Sequence, residues 1–319
     1  MKLLVTGGSG FIGSHFIRDA LAASDETTIV NVDKLTYAGR KENNADVEKN
    51  PRYSFLHADI GDENTMKQAM RGVDAVIHFA AESHVDRSLT DSGIFLRTNV
   101  LGTHSLLEAA RANDVKKFVC ISTDEVYGHI LDGSFTEEDV LNPRNPYSAS
   151  KVGAERLAYS YSQTYGMHVT ITRSSNNFGP NQYPEKMLPL FVTNILRGKK
   201  VPVYGNGMNI RDWLYVKDNC AGIQLVLEKG KSGEVYNIAG EHELPNMDMT
   251  RKILSIMKKG DEMIQFVEDR KGHDQRYSID ATKIKELGFS PQGTFDQNLR
   301  TTVEWYVQNP SWWKPLVKA

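Results

Sequence analysis

"VTGGSGFIGSH", residues 5–15, decides how the rest of the chain is read. A short apolar run, Leu3–Val5, leads into it, and an amphipathic segment, Phe11–Ala22, leaves it. Gly7, Gly10 and Gly13 fall in a GxxGxxG spacing at that junction, with Phe11 and Ile12 inside it. Glycine permits the tight turn and lets the backbone approach a pyrophosphate closely. The helix start then offers unpaired N–H groups and a favourable dipole to the anion. Asp33, in "VNVDKLTYAG", follows twenty residues past Gly13 at the end of a second apolar run. It is expected to accept hydrogen bonds from an adenosine ribose and to repel a 2′-phosphate, which favours NAD over NADP. Lys34 pulls the other way on a 2′-phosphate; with Leu35 and Thr36 it completes this side of the cofactor site. In "HADI", Asp59 and Ile60 read either as neighbours of the adenine or as a plain strand end.

Working outward, Ile29–Val32, Tyr53–Leu56, Ala75–Phe79, Phe118–Ile121 and Val169–Thr172 are further short apolar runs. Amphipathic segments such as Glu63–Met70 and Thr103–Ala112 lie between them. Strands alternating with helical patterns predict a doubly wound parallel α/β sheet of Rossmann type, covered on both faces. After about Asn176 the rhythm changes, and Gly, Pro, Asn and aromatic residues crowd "SSNNFGPNQYPEKMLP" and "PVYGNGMNIRDWLY". This half predicts a smaller, mixed α/β substrate domain with specificity loops.

The chain has 319 residues, 40% of them hydrophobic, enough for a large core. A net charge of −2 supplies no field drawing it to nucleic acid or an anionic membrane. Cys120 and Cys220 fit neither a disulfide framework nor a zinc site, so two buried thiols in a reducing cytoplasm are expected, with no metal. The opening "MKLLVTGGSG" has too short an apolar stretch for a signal peptide, and no run approaches a membrane span.

"NPYSASKVGAERLA" places Tyr147 and Lys151 four residues apart on one face of a helical pattern. A phenol is a poor base at neutral pH; a nearby ammonium and a cationic nicotinamide are expected to lower its pKa. "VCISTDEVYG", residues 119–128, ends an apolar run in Ser122, Thr123, Asp124 and Glu125. Adjacent strand residues face opposite ways, so the strand must end by Asp124 if both carboxylates are to face one cleft. Two solvated loop carboxylates are the alternative.

Taken in order, these motifs resemble the extended short-chain dehydrogenase/reductase superfamily and, within it, the nucleotide-sugar 4,6-dehydratases, the dTDP-glucose group in particular. The resemblance covers essentially the whole chain. It runs through "TGGSGFIGSH", "VDKLTYAG", "HFAAESHVDRS", "TNVLGT", "STDEVYG", "PYSASK", "TRSSNNFGPNQYPEKMLPLF", "PVYGNGMNIRDWLYV" and "DRKGHDQRYSID". Ser9 stands where the family usually has alanine, Ser174 where it often has cysteine and Gln275 where arginine is common; none removes a group the chemistry needs.

The resemblance implies a redox-neutral loss of water from C5–C6 of a glucosyl unit, leaving a 4-keto-6-deoxy sugar. Tyr147 takes the O4 proton as C4 gives a hydride to NAD⁺; Thr123 hydrogen-bonds O4 and Lys151 supports the phenolate. Glu125 removes the C5 proton, Asp124 protonates the departing C6 hydroxyl, and the hydride returns to C6 as Glu125 hands a proton back to C5. Neighbouring carboxyls in a dry cleft push their pKa values apart, which suits one acid and one base.

The same resemblance puts Phe79, Ala80, Ala81 and Ser83 beside the nicotinamide, with Ser83 also reaching substrate. Thr98 and Asn177 are implied NAD contacts, and Asn176 faces the sugar diphosphate. The diphosphate and base meet Lys186, Met187, Pro202, Val203, Tyr204, Arg211, Asn246, and His273 through Tyr277, Arg276 included. Arg211 has a second reading, as an ion-pair partner of Asp212. The NAD domain spans residues 1–176 with a returning segment at about 208–238, and the nucleotide-sugar domain spans 177–207 and 239–319. The long helical patterns Ile94–Ala112 and Tyr147–Tyr165 imply a homodimer through a four-helix bundle. Related 4-epimerases, a UDP-glucose 4,6-dehydratase and UDP-glucuronate decarboxylases share the cradle and the Tyr–Lys pair. Epimerases and decarboxylases generally lack the Asp–Glu pair, and the choice between thymine and uracil stays open.

Overall fold

The six short apolar runs assemble with a seventh strand, Val235–Ile238, which the sequence reading did not single out, into one parallel sheet in the computed structural model, which describes residues 1–269 and 272–317. The first half runs β1 (Lys2–Thr6), α1 (Phe11–Ala23), β2 (Thr28–Asp33), β3 (Tyr53–His57), α2 (Glu63–Ala69) and β4 (Ala75–His78). Next come α3 (Val85–Thr90), α4 (Ser92–Phe95) and α5 (Gly102–Ala112), the last two joined by a π-helical stretch, Leu96–Leu101. β5 (Lys117–Thr123), a 3₁₀ turn (Asp124–Tyr127), α6 (Pro146–Tyr165) and β6 (Val169–Ser174) follow. The remainder is β7 (Asn176–Phe178), α7 (Met187–Leu196), β8 (Val201–Tyr204), β9 (Ile210–Tyr215), α8 (Val216–Lys229), β10 (Val235–Ile238) and β11 (Glu243–Pro245). It closes with α9 (Asn246–Ile256), β12 (Ile264–Val267), α10 (Thr282–Glu286), α11 (Phe295–Gln308) and α12 (Pro310–Trp313).

The large sheet has the order β10-β6-β5-β4-β1-β2-β3, with every neighbour parallel. Side-chain alternation explains why its central strands are apolar throughout. Leu3 and Val5 enter the core on one face, with Phe16 of α1 and Ile223 of α8. Leu4 enters the core on the other, with Met66 of α2, Leu106 of α5 and Ala158 of α6. The order reverses between β1 and β4, and the carboxyl ends of those strands open a crevice of the kind where α/β sheets bind ligands.

The second half builds smaller sheets of its own. β7 runs parallel to β9 and β11 antiparallel to it; β8 pairs with β12. The chain then returns to the large sheet, α8 packing on β5 and β6 and β10 adding the edge strand beside β6. β9 stays in the small sheet, so the return begins at Val216. Cys120 and Cys220 are both buried free thiols.

Candidate active site

The glycine loop is built against its neighbours with no spare room. Gly7 has φ +67°, and a Cβ there would lie 2.6 Å from the Ala80 amide nitrogen. A Cβ on Gly13 would lie 2.5 Å from the Gly7 carbonyl oxygen, so α1 starts directly against the turn. Gly10 caps α1 without a side-chain hydrogen bond, which leaves the first-turn amides to an anion. Asp33 is buried, its carboxylate accepting from the Ser9 amide at 2.9 Å and the Leu35 amide at 2.8 Å. Burial raises its pKa and those two bonds lower it. Lys34, next to Asp33 in the chain, pairs with Asp59 at 2.6 Å. Thr36 is exposed in the same loop. Ile60 is a core residue: its side chain is buried, and a Cβ on Gly102 would lie 2.6 Å from its Cδ1.

Facing the cradle, Phe79, Ala80, Ala81 and Ser83 are half-buried after β4. Thr98 is half-buried on the π-helical stretch, and the neighbouring Asn99 holds the loop in place. Asn99 accepts from the Glu82 amide at 2.8 Å and donates to the Glu82 carbonyl at 3.0 Å and to Ser150 Oγ at 2.8 Å. Sequence reading stopped one residue short of it. It also passed over Asn43 and Asn44, whose amides hold the carbonyls of Ser9 and Gly8, both at 2.8 Å.

Asn145 caps α6 through a capping box with Ser148, Pro146 sits in the first turn, and Tyr147 and Lys151 then share one face. Here the structure corrects the expected phenol chemistry. The Tyr147 pKa is raised, by burial first and then by Glu125 and Asp124, while the Thr123 hydroxyl lowers it. Lys151 is buried and donates to the Ile121 carbonyl at 2.5 Å, so its ammonium does not offset the two carboxylates.

β5 ends at Thr123, and the 3₁₀ turn carries Asp124 and Glu125 off the strand. Asp124 is 3% exposed and its Oδ2 has no hydrogen-bond partner among the described residues. Its pKa is raised well above the usual range, by burial first, then by Glu125 and Asp212. Burial also raises Glu125, but Lys186, the Asn145 amide at 3.3 Å and Arg211 hold it down. The two neighbours are thereby separated: the environment favours the proton more strongly on Asp124 than on Glu125.

A stability prediction follows. The folded pKa of Asp124 lies above its unfolded value, so the folded state binds more protons between the two. The contribution of Asp124 is therefore most favourable below its unfolded pKa and is lost as pH rises toward the folded one. Asp124→Asn removes that loss. The variant should melt higher than the wild type at neutral pH, with the gap closing near pH 4, as read by thermal denaturation across pH.

A cleft of about 490 Å³ opens beside Glu125. Asn176, Lys186, Met187, Pro202, Val203, Tyr204, Arg211, Asn246, His273 and Tyr277 line it, so residues scattered over half the sequence meet there. Trp213 and Asp274 line it too. Asn176 Oδ1, Asn246 Oδ1 and Trp213 Nε1 are buried without a hydrogen-bond partner among the described residues, a costly arrangement that a polar ligand would relieve. Arg211 faces the cleft with its guanidinium 4.3 Å from the Tyr277 ring centre, donating to the Asp274 carbonyl at 2.9 Å. Asp212 points the other way, accepting from the Gly240 amide at 2.8 Å and the His242 amide at 2.6 Å. Strand alternation thus rules out the Arg211–Asp212 ion pair.

Two other residues sit differently from expectation. Arg276 does not line the cleft: it pairs with Glu243 at 2.6 Å and donates to the Gly133 carbonyl at 2.8 Å. It braces the loop before α6. Asn177 alternates away from Asn176, donates to the Ser175 carbonyl and accepts from Asn219, both at 2.9 Å. Among the described residues no cluster of His, Cys, Asp or Glu could hold a metal ion, and no helix is long and apolar enough to cross a membrane.

The reversed sheet order, the glycine cradle with Asp33, and a Tyr–Lys helix beside the cleft define a chain of the extended short-chain dehydrogenase/reductase class. Residues 4–302 match the model of the GDP-mannose 4,6-dehydratase family, and the chain belongs to that family. It is 49% identical to a dTDP-glucose 4,6-dehydratase of Streptomyces niveus, over 99% of this chain and 96% of that one. It is 50% identical to the low-salt glycan biosynthesis protein Agl12 of Haloferax volcanii, over 96% and 99%. A dTDP-glucose 4,6-dehydratase of Streptomyces venezuelae, solved with NAD and dTDP, superposes with a TM-score of 0.98. That structure shares 50% identity, over 99% of this chain and 100% of its own.

Proposed function

We propose that this protein removes water from dTDP-glucose and releases the 4-keto-6-deoxy sugar nucleotide, with NAD held in the cradle. The observation that carries the reading is the Asp124–Glu125 pair beside Tyr147, Asp124 buried and Glu125 half-buried at the cleft, with the proton favoured more strongly on Asp124. A 4-epimerase has no elimination to catalyse and no use for such a pair. The cradle fits a dinucleotide: Gly7 and Gly13 have no room for a side chain, and Asp33 is oriented by two amides. Gly7, Gly10, Phe11, Ile12, Gly13 and Asp33 would hold it, with Phe79 to Ser83 opposite. Bound NAD supplies a reversible hydride acceptor.

The chain's own residues handle the protons. Thr123 and Tyr147 meet the sugar O4, and Tyr147 accepts its proton. A 4-ketone acidifies the C5 proton, which Glu125 removes, and Asp124 gives its proton to the departing C6 hydroxyl. Because burial and the carboxylate of Glu125 oppose phenolate, Tyr147 needs the positive charge that the oxidised cofactor brings. Lys186 and Arg211 favour a diphosphate, Arg through its planar fork. We assign cofactor binding to residues 1–176 and the returning segment, and the sugar nucleotide to the rest.

The reading is tested by incubating the protein with dTDP-glucose or UDP-glucose and assaying the base-labile, ultraviolet-absorbing 4-keto product. dTDP-glucose should give the higher kcat/KM; no keto product from either would sink the proposal. After cofactor stripping, NAD⁺ should restore activity far better than NADP⁺, and equal restoration would count against the role of Asp33.

The protein is also proposed to act in the cytoplasm as a homodimer. Leu96 and Leu101 are 53% and 60% exposed on the stretch joining α4 to α5, which packs beside α6. A four-helix bundle would cover them. Sedimentation should give twice the chain mass at micromolar concentration, and a monomer there would exclude a tight dimer.

A further inference from the structure

Behind the acid–base turn lies an ion pair with no part in the proton transfers. Arg173 of β6 and Glu155 of α6 are 2% and 0% exposed. Arg173 Nη2 donates to Glu155 Oε1 at 2.6 Å and Nε to Oε2 at 3.2 Å. Glu155 Oε2 also accepts from Ser122 Oγ at 2.6 Å. On its other side Arg173 donates to the Tyr127 hydroxyl at 2.6 Å, and that hydroxyl donates to Asn237 Oδ1 at 2.9 Å. The guanidinium lies 4.7 Å from the centre of the Tyr127 ring, which stacks on Phe135 at 5.0 Å. A buried ion pair is weak support for stability, because desolvation offsets much of the attraction. Stability alone is therefore a poor account of it.

Its placement suggests another. Ser122 comes immediately before Thr123, and Tyr127 comes two residues after Glu125. The pair therefore grips both ends of the segment that carries Thr123, Asp124 and Glu125. Glu155 stands one helical turn beyond Lys151 and two beyond Tyr147, on the same face of α6. One carboxylate thus joins the helix that manages the O4 proton to the turn that manages elimination. Such groups must hold their relative positions to a fraction of an ångström.

We infer that Glu155, Arg173, Ser122 and Tyr127 form a positioning clamp that sets the acid–base turn against the Tyr147–Lys151 helix. The inference rests on the dehydratase reading and deepens it. None of the four is a catalytic residue; they act through Asp124 and Glu125.

Tyr127→Phe tests the clamp gently, since it keeps the ring and its stack and removes one hydroxyl. Single turnover with dTDP-glucose, on holoenzyme, separates NADH formation from loss of the C6 oxygen. The variant should form NADH at the wild-type rate, bind dTDP-glucose with unchanged affinity, and eliminate water about 10- to 10²-fold more slowly. Ser122→Ala should shift the same ratio in the same direction. Arg173→Lys keeps the charge but cannot span Glu155 and Tyr127 together. Adding Tyr127→Phe to it should cost little more, because the two act as one unit. Should Arg173→Lys fail to fold, the Ser122→Ala and Tyr127→Phe pair carries the same cycle. A purely structural network would lower the melting temperature and leave the ratio of the two steps unchanged. That outcome, or full turnover in Tyr127→Phe, or additive losses in the double variant, overturns the clamp. No turnover by the wild type would sink the dehydratase reading and the clamp with it; wild-type turnover with an unchanged ratio in the variants sinks the clamp alone.

Discussion

Asp124→Asn should leave C4 oxidation running and slow the loss of the C6 hydroxyl by a factor on the order of 10²–10⁴, the usual worth of a general acid. The argument is electrostatic. Asp124 is buried beside Glu125 and Asp212, so its neutral, proton-bearing form is favoured. Asparagine keeps the shape and the neutrality but has no acidic proton to give. Reduced cofactor should then accumulate on the enzyme, visible by its near-ultraviolet absorbance, with a 4-keto sugar that has kept its C6 oxygen. Glu125→Gln should slow deuterium exchange at C5 by a similar factor. Tyr147→Phe should block the first step instead, so that no reduced cofactor appears. If Asp124→Asn stopped its formation as completely as Tyr147→Phe, the carboxylates would be organising the oxidation site. If the variant turned over fully, they would be bystanders.

Gly7→Ala should strip the protein of its cofactor and destabilise the fold. The backbone at Gly7 is left-handed, φ +67°, which costs an L-residue about 1–2 kcal/mol. The new methyl would also meet backbone, 2.6 Å from Ala80 N and 2.7 Å from Ala80 Cα, where no side chain can swing aside. Relief requires β1 and β4 to part at the crevice, and overpacking of that kind costs about 1–3 kcal/mol more. Calorimetry should record a lower melting temperature, and the purified variant should carry far less NAD than the wild type. Unchanged melting and full cofactor content would mean that the loop is looser than this geometry allows.

Much of this site was legible before any coordinates. The glycine spacing, Asp33 and the Tyr147–Lys151 pair are local patterns whose meaning depends on a few neighbours along the chain. The end of β5 at Thr123 followed from the alternation rule applied to two carboxylates. Asn145 was not singled out, although an Asn three residues before Ser148 with Pro146 next in line carries a helix-cap signal, and only folding reveals that its amide also reaches Glu125. The misplacement of Arg276 has a similar origin. Its motif matched, yet the direction of its guanidinium depends on Glu243, thirty-three residues away in sequence.

What the amino-acid order determined by itself is therefore the doubly wound sheet, the glycine turn with Asp33 and the Tyr147–Lys151 spacing on which the proposed site rests, because periodicity, glycine and helical spacing act over a few residues. Tertiary structure alone decided their protonation. Tyr147 looked like a lowered phenol beside a lysine, but burial and two carboxylates raise it while Lys151 turns to the Ile121 carbonyl. Asp124 and Glu125 are equal neighbours in the chain; burial first, then Glu125 and Asp212, favours the proton on Asp124, while Lys186 and the Asn145 amide, brought in from the loop before α7 and the cap of α6, offset part of the burial of Glu125. Desolvation and Coulomb interactions depend on distance through space, and the residues that set them lie far apart in the sequence.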